Sequence, residues 1–130
     1  MSKITKIIPS VSNDGGNASY FDTHEIELSG EAPWMLSDQQ AALNFRLRSS
    51  EAGYQSDWHV AGDPTLLIIL DGIIEIELRS GESKKFSKGD MFVAEDYLDG
   101  GVGFNNTLGH RAQVIGARTL QALHMKLAKR

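Results

Sequence analysis

The chain contains no cysteine. That absence excludes a disulfide framework, a thiolate nucleophile and any cysteine-ligated metal, and it fits the reducing cytoplasm, where we expect the protein to work. Long apolar runs are missing too. No stretch approaches the ~18 consecutive apolar residues of a membrane span, and the lysines of Met1–Pro9 are not followed by the apolar segment of a secretory leader. Positive charge is in deficit: the formal net charge is −4. A nucleic-acid partner, which selects a basic face, is therefore not expected. The few basic residues at the end, Lys126, Lys129 and Arg130, read as a solvated tail. Gly-x-Gly-x-x-Gly, phosphate-loop, Cys-x-x-Cys and Gly-x-Ser-x-Gly motifs do not occur either, so dinucleotide, nucleotide, thiol-redox and serine-hydrolase chemistry have no support.

What the chain does have is β pattern. With 130 residues it forms one domain, long enough to bury roughly two-thirds of its unfolded surface. The organising stretch is Gly53–Asp96. Leu66-Leu-Ile-Ile-Leu70 is a short apolar run, Asp71-Gly72 breaks it, and Ile74, Ile76 and Leu78 then alternate with glutamates. Period-two spacing after a turn signal predicts two consecutive strands, with Leu67 and Ile69 inside. Around this unit, Phe21–Leu28 reads as a long strand. Ala41–Arg48 reads as a strand burying Leu43, Phe45 and Leu47, with Asn44, Arg46 and Arg48 on the wet side. His110–Gly116 and Arg118–Leu127 read as two closing strands. No helix is expected; several short strands at near-regular spacing predict an all-β sandwich or barrel.

The same stretch resembles the cupin signatures. Gly53, His59 and Gly72 match the first, and Gly89-Asp90 ahead of Met91-Phe-Val matches the second. The likeness extends over about residues 41–127, with residues 1–40 as an N-terminal extension of the same single domain. It is similar to the small single-domain bacterial cupins, whose Trp-His, Glu-Asp and Gly-His pairs look like Trp58-His59, Glu95-Asp96 and Gly109-His110. The resemblance implies an antiparallel double-stranded β-helix, or jelly roll, with a pocket inside the barrel.

It also implies a damaged metal site. The second histidine of the first signature is Ala61 and its glutamate is Thr65, which leaves His59 and His110 as candidate metal ligands. Two imidazoles hold a divalent ion weakly, since a catalytic site needs about three protein ligands. The candidate ligand-binding residues are Trp58, His59, Glu95, Asp96 and His110, gathered at the barrel mouth beneath a lid formed by the glycine-rich segment 100–109. The expected function is binding of a small organic ligand with no assigned reaction and no firm cofactor. The alternative is a metal-dependent dioxygenase or isomerase using His59, His110 and Glu95. His24 and His124, in plain alternating strands, read as surface or satisfied core. Because Leu66, Ile68 and Leu70 oppose Leu67 and Ile69, the central strand is apolar on both faces, which predicts a homodimer.

Overall fold

The computed structural model describes residues 2–128; Lys129 and Arg130 of the basic tail lie outside them. Ten strands occur among these residues: β1 (Ser2–Ser12), β2 (Tyr20–Glu31), β3 (Trp34–Ser37), β4 (Ala42–Ser50), β5 (Thr65–Asp71), β6 (Ile73–Leu78), β7 (Ser83–Ser87), β8 (Met91–Ala94), β9 (His110–Ile115) and β10 (Leu120–Leu127). They form a seven-stranded sheet, in the order β3-β2-β1-β8-β5-β10-β4, and a three-stranded sheet, β7-β6-β9. All pairings are antiparallel except the short parallel contact of β1 with β8. No helix among the described residues is long and apolar enough to cross a membrane.

The alternation that identifies β5 and β6 also builds the core. Leu67 and Ile69 from one sheet meet Ile74, Ile76 and Leu78 from the other, all buried, with Phe86 stacked on Phe92 at a centroid distance of 4.2 Å. Gly72 makes the sharp passage from β5 to β6 possible. Its φ is +80°, and a Cβ there would meet the Thr119 carbonyl oxygen at 2.8 Å. The lysine-rich strand β7 forms an edge of the small sheet, where charge opposes strand addition.

Two strands depart from expectation. Residues 2–12 form β1, which the sequence does not mark, because this strand pairs with β2 in a largely exposed hairpin and needs no clean alternation. In β4 the faces are reversed. Leu43, Phe45 and Leu47 are 57%, 65% and 71% exposed, whereas Arg48 turns inward and is half-buried. Alternation says that the two faces of a strand differ; it does not say which one meets the core.

Candidate functional site

Residues 53–59 have no strand of their own and lie along β9, extending the small sheet. Ser56 N–H donates to the Ala112 carbonyl at 2.8 Å, and His59 and His110 exchange both backbone hydrogen bonds, at 2.9 and 2.8 Å. Gly109 permits this approach: a Cβ there would stand 2.5 Å from the His59 carbonyl oxygen. The paired backbones bring the two imidazoles to a centroid distance of 4.5 Å.

Each ring is held by Nδ1. His59 Nδ1 donates to the Asp57 carbonyl at 2.8 Å, and His110 Nδ1 donates to Asp96 Oδ2 at 2.7 Å. Asp96 is fully buried. Its Oδ2 also accepts from the Ser19 hydroxyl at 2.6 Å and its Oδ1 from the Ala61 amide at 2.9 Å. Burial alone would raise the Asp96 carboxyl, but the His110 bond, helped by Ser19 and Ala61, holds it below the ordinary carboxylate value. An ionised Asp96 places the shared hydrogen on His110 Nδ1, leaving Nε2 as the free nitrogen. His59 is held below the usual imidazole value, chiefly by desolvation and also by its proximity to His110; the Asp57 carbonyl opposes this.

Both histidines line a chamber of about 190 Å³ between the two sheets. Leu67, Ile74, Ile76, Phe92 and Ala94 supply its apolar side; Arg48, His124 and Lys126 supply the opposite one. A wider vestibule of about 500 Å³ shares Arg48, His59, Ala112 and His124 with it and adds Arg46, Tyr54 and Ser56.

Of the residues singled out from sequence, the structure thus brings His59, His110 and Asp96 together. It sends the other two elsewhere. Glu95 follows β8 and points opposite to Asp96, onto the outer face, where its Oε1 accepts from Ser12 Oγ at 2.7 Å and pairs with His24 Nε2 at 2.7 Å. Trp58 points opposite to His59 and has the guanidinium groups of Arg79 and Arg111 over its ring, 4.1 and 4.6 Å from the centroid. The glycine-rich segment contributes no lining residue to the chamber or the vestibule. Arg79 pins it through the Leu108 and Asn105 carbonyls, at 3.0 and 3.3 Å.

Arg48, His124 and Lys126 are chamber residues that sequence reasoning passed over. Their signal was parity. Ala122, His124 and Lys126 share one face of β10, as Arg46 and Arg48 share one face of β4, and an apolar opposite face in both strands conceals which side is inside. Lys126, expected in a solvated tail, donates to Thr65 Oγ1 at 2.8 Å.

No protein-family profile matches this sequence, and neither does any curated protein. Solved structures do. The chain is similar to the cupin domain of Schizosaccharomyces pombe Cnp3, at 14% identity and a TM-score of 0.50 over 83% of this chain and 79% of that one. The chain has the cupin fold. A cupin-2 domain protein from Shewanella frigidimarina shows a looser likeness, at 19% identity and a TM-score of 0.44 over 65% of this chain and 69% of that one. So does a conserved Streptococcus pyogenes protein of unknown function, at 18% identity and a TM-score of 0.48 over 74% and 71%. The Cnp3 likeness speaks to the barrel and leaves its chemistry to the residues inside.

For a cupin barrel, the donor set fits a catalytic divalent ion poorly. Both imidazoles are oriented through Nδ1, as metal-binding histidines are. A third donor is lacking: no group of three His, Cys, Asp or Glu side chains placed to hold an ion occurs among the described residues. Asp96 has both oxygens engaged, Glu95 faces away, and Arg48 and Lys126 put positive charge into the same space.

Proposed function

We propose that this cupin barrel binds a small organic ligand in the chamber between its sheets, with His59 and His110 as the polar groups that orient it. The observation that carries this reading is a cavity of about 190 Å³ with an apolar floor and two clamped imidazoles whose Nε2 atoms are unclaimed among the described residues. Concave apolar space with a few converging polar groups is the usual form of a ligand site. Imidazole resonances of His59 and His110, followed while fragments of ring size are titrated, test it. Saturable shifts are expected, and silence across a broad fragment set counts against it.

The Asp96–His110 pair favours a second reading, a metal-free isomerase. A carboxylate that fixes the tautomer and orientation of an imidazole makes its free nitrogen a usable base, and His59 stands close enough to act as the opposing acid. The metal-dependent dioxygenase or isomerase loses its third ligand with Glu95 and has no comparable support.

The cupin is further proposed to act as a cytoplasmic homodimer with neither nucleic-acid nor membrane partners. The outer face of the large sheet carries two cross-strand rows, Phe45-Met125-Leu66-Val93 and Leu47-Leu123-Ile68-Met91, running across β4, β10, β5 and β8. The β4 end of this band is the most open, with Phe45 and Leu47 65% and 71% exposed while Val93 on β8 is buried within the chain. That end calls for a cover, and a second copy related by a two-fold axis supplies the same surface in return.

A further inference from the structure

We infer that the chamber takes a short organic acid, its carboxylate seated among Arg48, Lys126 and His124 and its hydrocarbon part against Leu67, Ile74, Ile76 and Phe92. This rests on the ligand-binding reading above and adds the chemical class.

The inner face of the large sheet is graded. One register row reads Arg46-His124-Leu67-Phe92 from β4 to β8, and the rows on either side run Arg48-Ala122-Ile69 and Asn44-Lys126-Thr65-Ala94. Cations therefore collect at the β4–β10 side and hydrocarbon at the β5–β8 side. Their counter-charge is missing. No ion pair among the described residues includes Arg46, Arg48 or Lys126. Arg48 donates through Nε to Ser50 Oγ, and Lys126 through Nζ to Thr65 Oγ1; both acceptors are neutral. Asp96, the carboxylate closest to the two site histidines, is consumed by His110, Ser19 and the Ala61 amide.

His124 makes the preference specific. Its Nε2 is buried with no hydrogen-bond partner among the described residues. A buried polar atom without a partner is costly, and an Nε2–H donor there would be satisfied by a carboxylate oxygen. Burial first, then Arg48, Arg46 and Lys126, push the His124 imidazole down to about 4. These groups repel one more proton and attract an anion.

Shape narrows the class. At about 190 Å³ the chamber is a little larger than the ~150 Å³ cavity that admits benzene. A ring-sized or branched monocarboxylate fills it. Inorganic phosphate would answer the cations but leave the apolar side wet, whereas a neutral ring would fill the space and leave the cations uncompensated.

The test titrates benzoate, benzamide and inorganic phosphate into the full chain, reading the imidazole resonances of His59, His110 and His124. Benzoate is expected to give saturable shifts and benzamide to bind at least about tenfold more weakly. Arg48→Met and Lys126→Met should each weaken benzoate by about tenfold while leaving benzamide unmoved, and Arg48→Lys should restore part of the loss. Bound benzoate should also raise the His124 titration midpoint. Equal binding of benzoate and benzamide, or benzoate binding indifferent to both methionine variants, overturns the anionic class while sparing the ligand-binding reading. Phosphate displacing benzoate overturns the carboxylate assignment. If neither aromatic probe moves a chamber histidine, the carboxylate assignment falls, and the ligand-binding reading falls with it only if the broad fragment set is silent too. His24, on the outer face, reports whether each variant is folded, and either methionine variant suffices if the other is not.

Discussion

Glu95 and Asp96 are neighbours in the chain, and each holds a histidine at 2.7 Å, yet they belong to opposite faces of the same sheet. Asp96 and His110 are sealed between the sheets, with side chains 0% and 5% exposed; Glu95 and His24 look outward at 21% and 44%. The inner pair has lost water on every side, so its bonds must be complete, and they are: Asp96 carries three. The outer pair keeps water as an alternative partner, which makes its bond nearly dispensable. The same contrast runs across the whole large sheet in an inverted form. Towards β4 and β10 the inner face carries Arg46, Arg48, His124 and Lys126, and the outer face carries Phe45, Leu47, Leu123 and Met125. Under the proposals above, an anion would answer the inner cations and a second protein surface would cover the outer apolar side chains.

The largest effect should come from the outer face. Replacing both Phe45 and Leu47 with glutamate removes two apolar anchors from the proposed dimer and places charge there, a loss of about 2 kcal/mol or more per residue. Sedimentation should show the double variant as a species of the single-chain mass at concentrations where the natural chain is paired. Because both side chains are exposed within one chain, the monomer itself should unfold at nearly its usual temperature. A natural chain that sediments singly at micromolar concentration would sink the dimer.

The next effect lies inside. Asp96→Asn keeps the shape of the side chain but offers Nδ2–H groups where His110 Nδ1 and the Ser19 hydroxyl already donate. We expect a loss of about 2–4 kcal/mol in denaturant unfolding, together with a switch of the His110 tautomer visible in its ring nitrogen shifts. A loss below about 1 kcal/mol would mean that this pair is no more enclosed than the outer one.

How much of this was readable beforehand follows from the same asymmetry. Leu67, Ile69, Ile74 and Ile76 were legible as core because their strands alternate around a marked turn, Asp71-Gly72, and an apolar residue at those positions has nowhere else to go. His59 and His110 were legible through motif spacing. In β4 the pattern was equally clear and the inference went the wrong way, since apolar-inward is the rule for a lone chain and Leu43, Phe45 and Leu47 instead stand on the exposed face. Glu95 and Asp96 could not be sorted at all: at the end of a four-residue strand, parity is fixed by which sheet β8 joins, and that depends on contacts far away in sequence. His124 looked ordinary for the same reason. Its importance comes from Arg46, Arg48 and Lys126 across a strand pair, a relation the linear sequence does not display.

A third effect concerns pH. The folded His124 imidazole, pushed down to about 4, lies below the ordinary value of 6.5, so the unfolded chain binds more protons between those two values. Stability should therefore be full above pH 6.5 and fall as the pH drops towards 4, by well under the ~3.4 kcal/mol of the full shift, because solvent screens the half-buried ring. Asp96, also lowered, adds a loss of the same sign in a more acidic window, below the ordinary carboxylate value. His124→Gln should flatten the first window and leave the second. His59, lowered as well, keeps part of the slope, so the variant reduces it without abolishing it. An unchanged slope would show that His124 titrates as though in water.

The smallest effect returns to the outer pair. Glu95→Gln keeps an acceptor for Ser12 Oγ and removes only the charge facing His24, so a loss under about 1 kcal/mol is expected by urea unfolding. Distance gives this prediction its use. Glu95 continues β8, which is three strand spacings, ~14 Å, from β4 along the sheet, while the proposed dimer is anchored on β4 and β10. If the cover stops short of β8, the penalty stays small in the dimer and in the Phe45→Glu, Leu47→Glu background alike. A penalty above about 2 kcal/mol that disappears in that background would mean the second copy reaches His24 and seals the pair. The outer carboxylate would then resemble the inner one, and the distinction between the two faces would belong to the monomer alone.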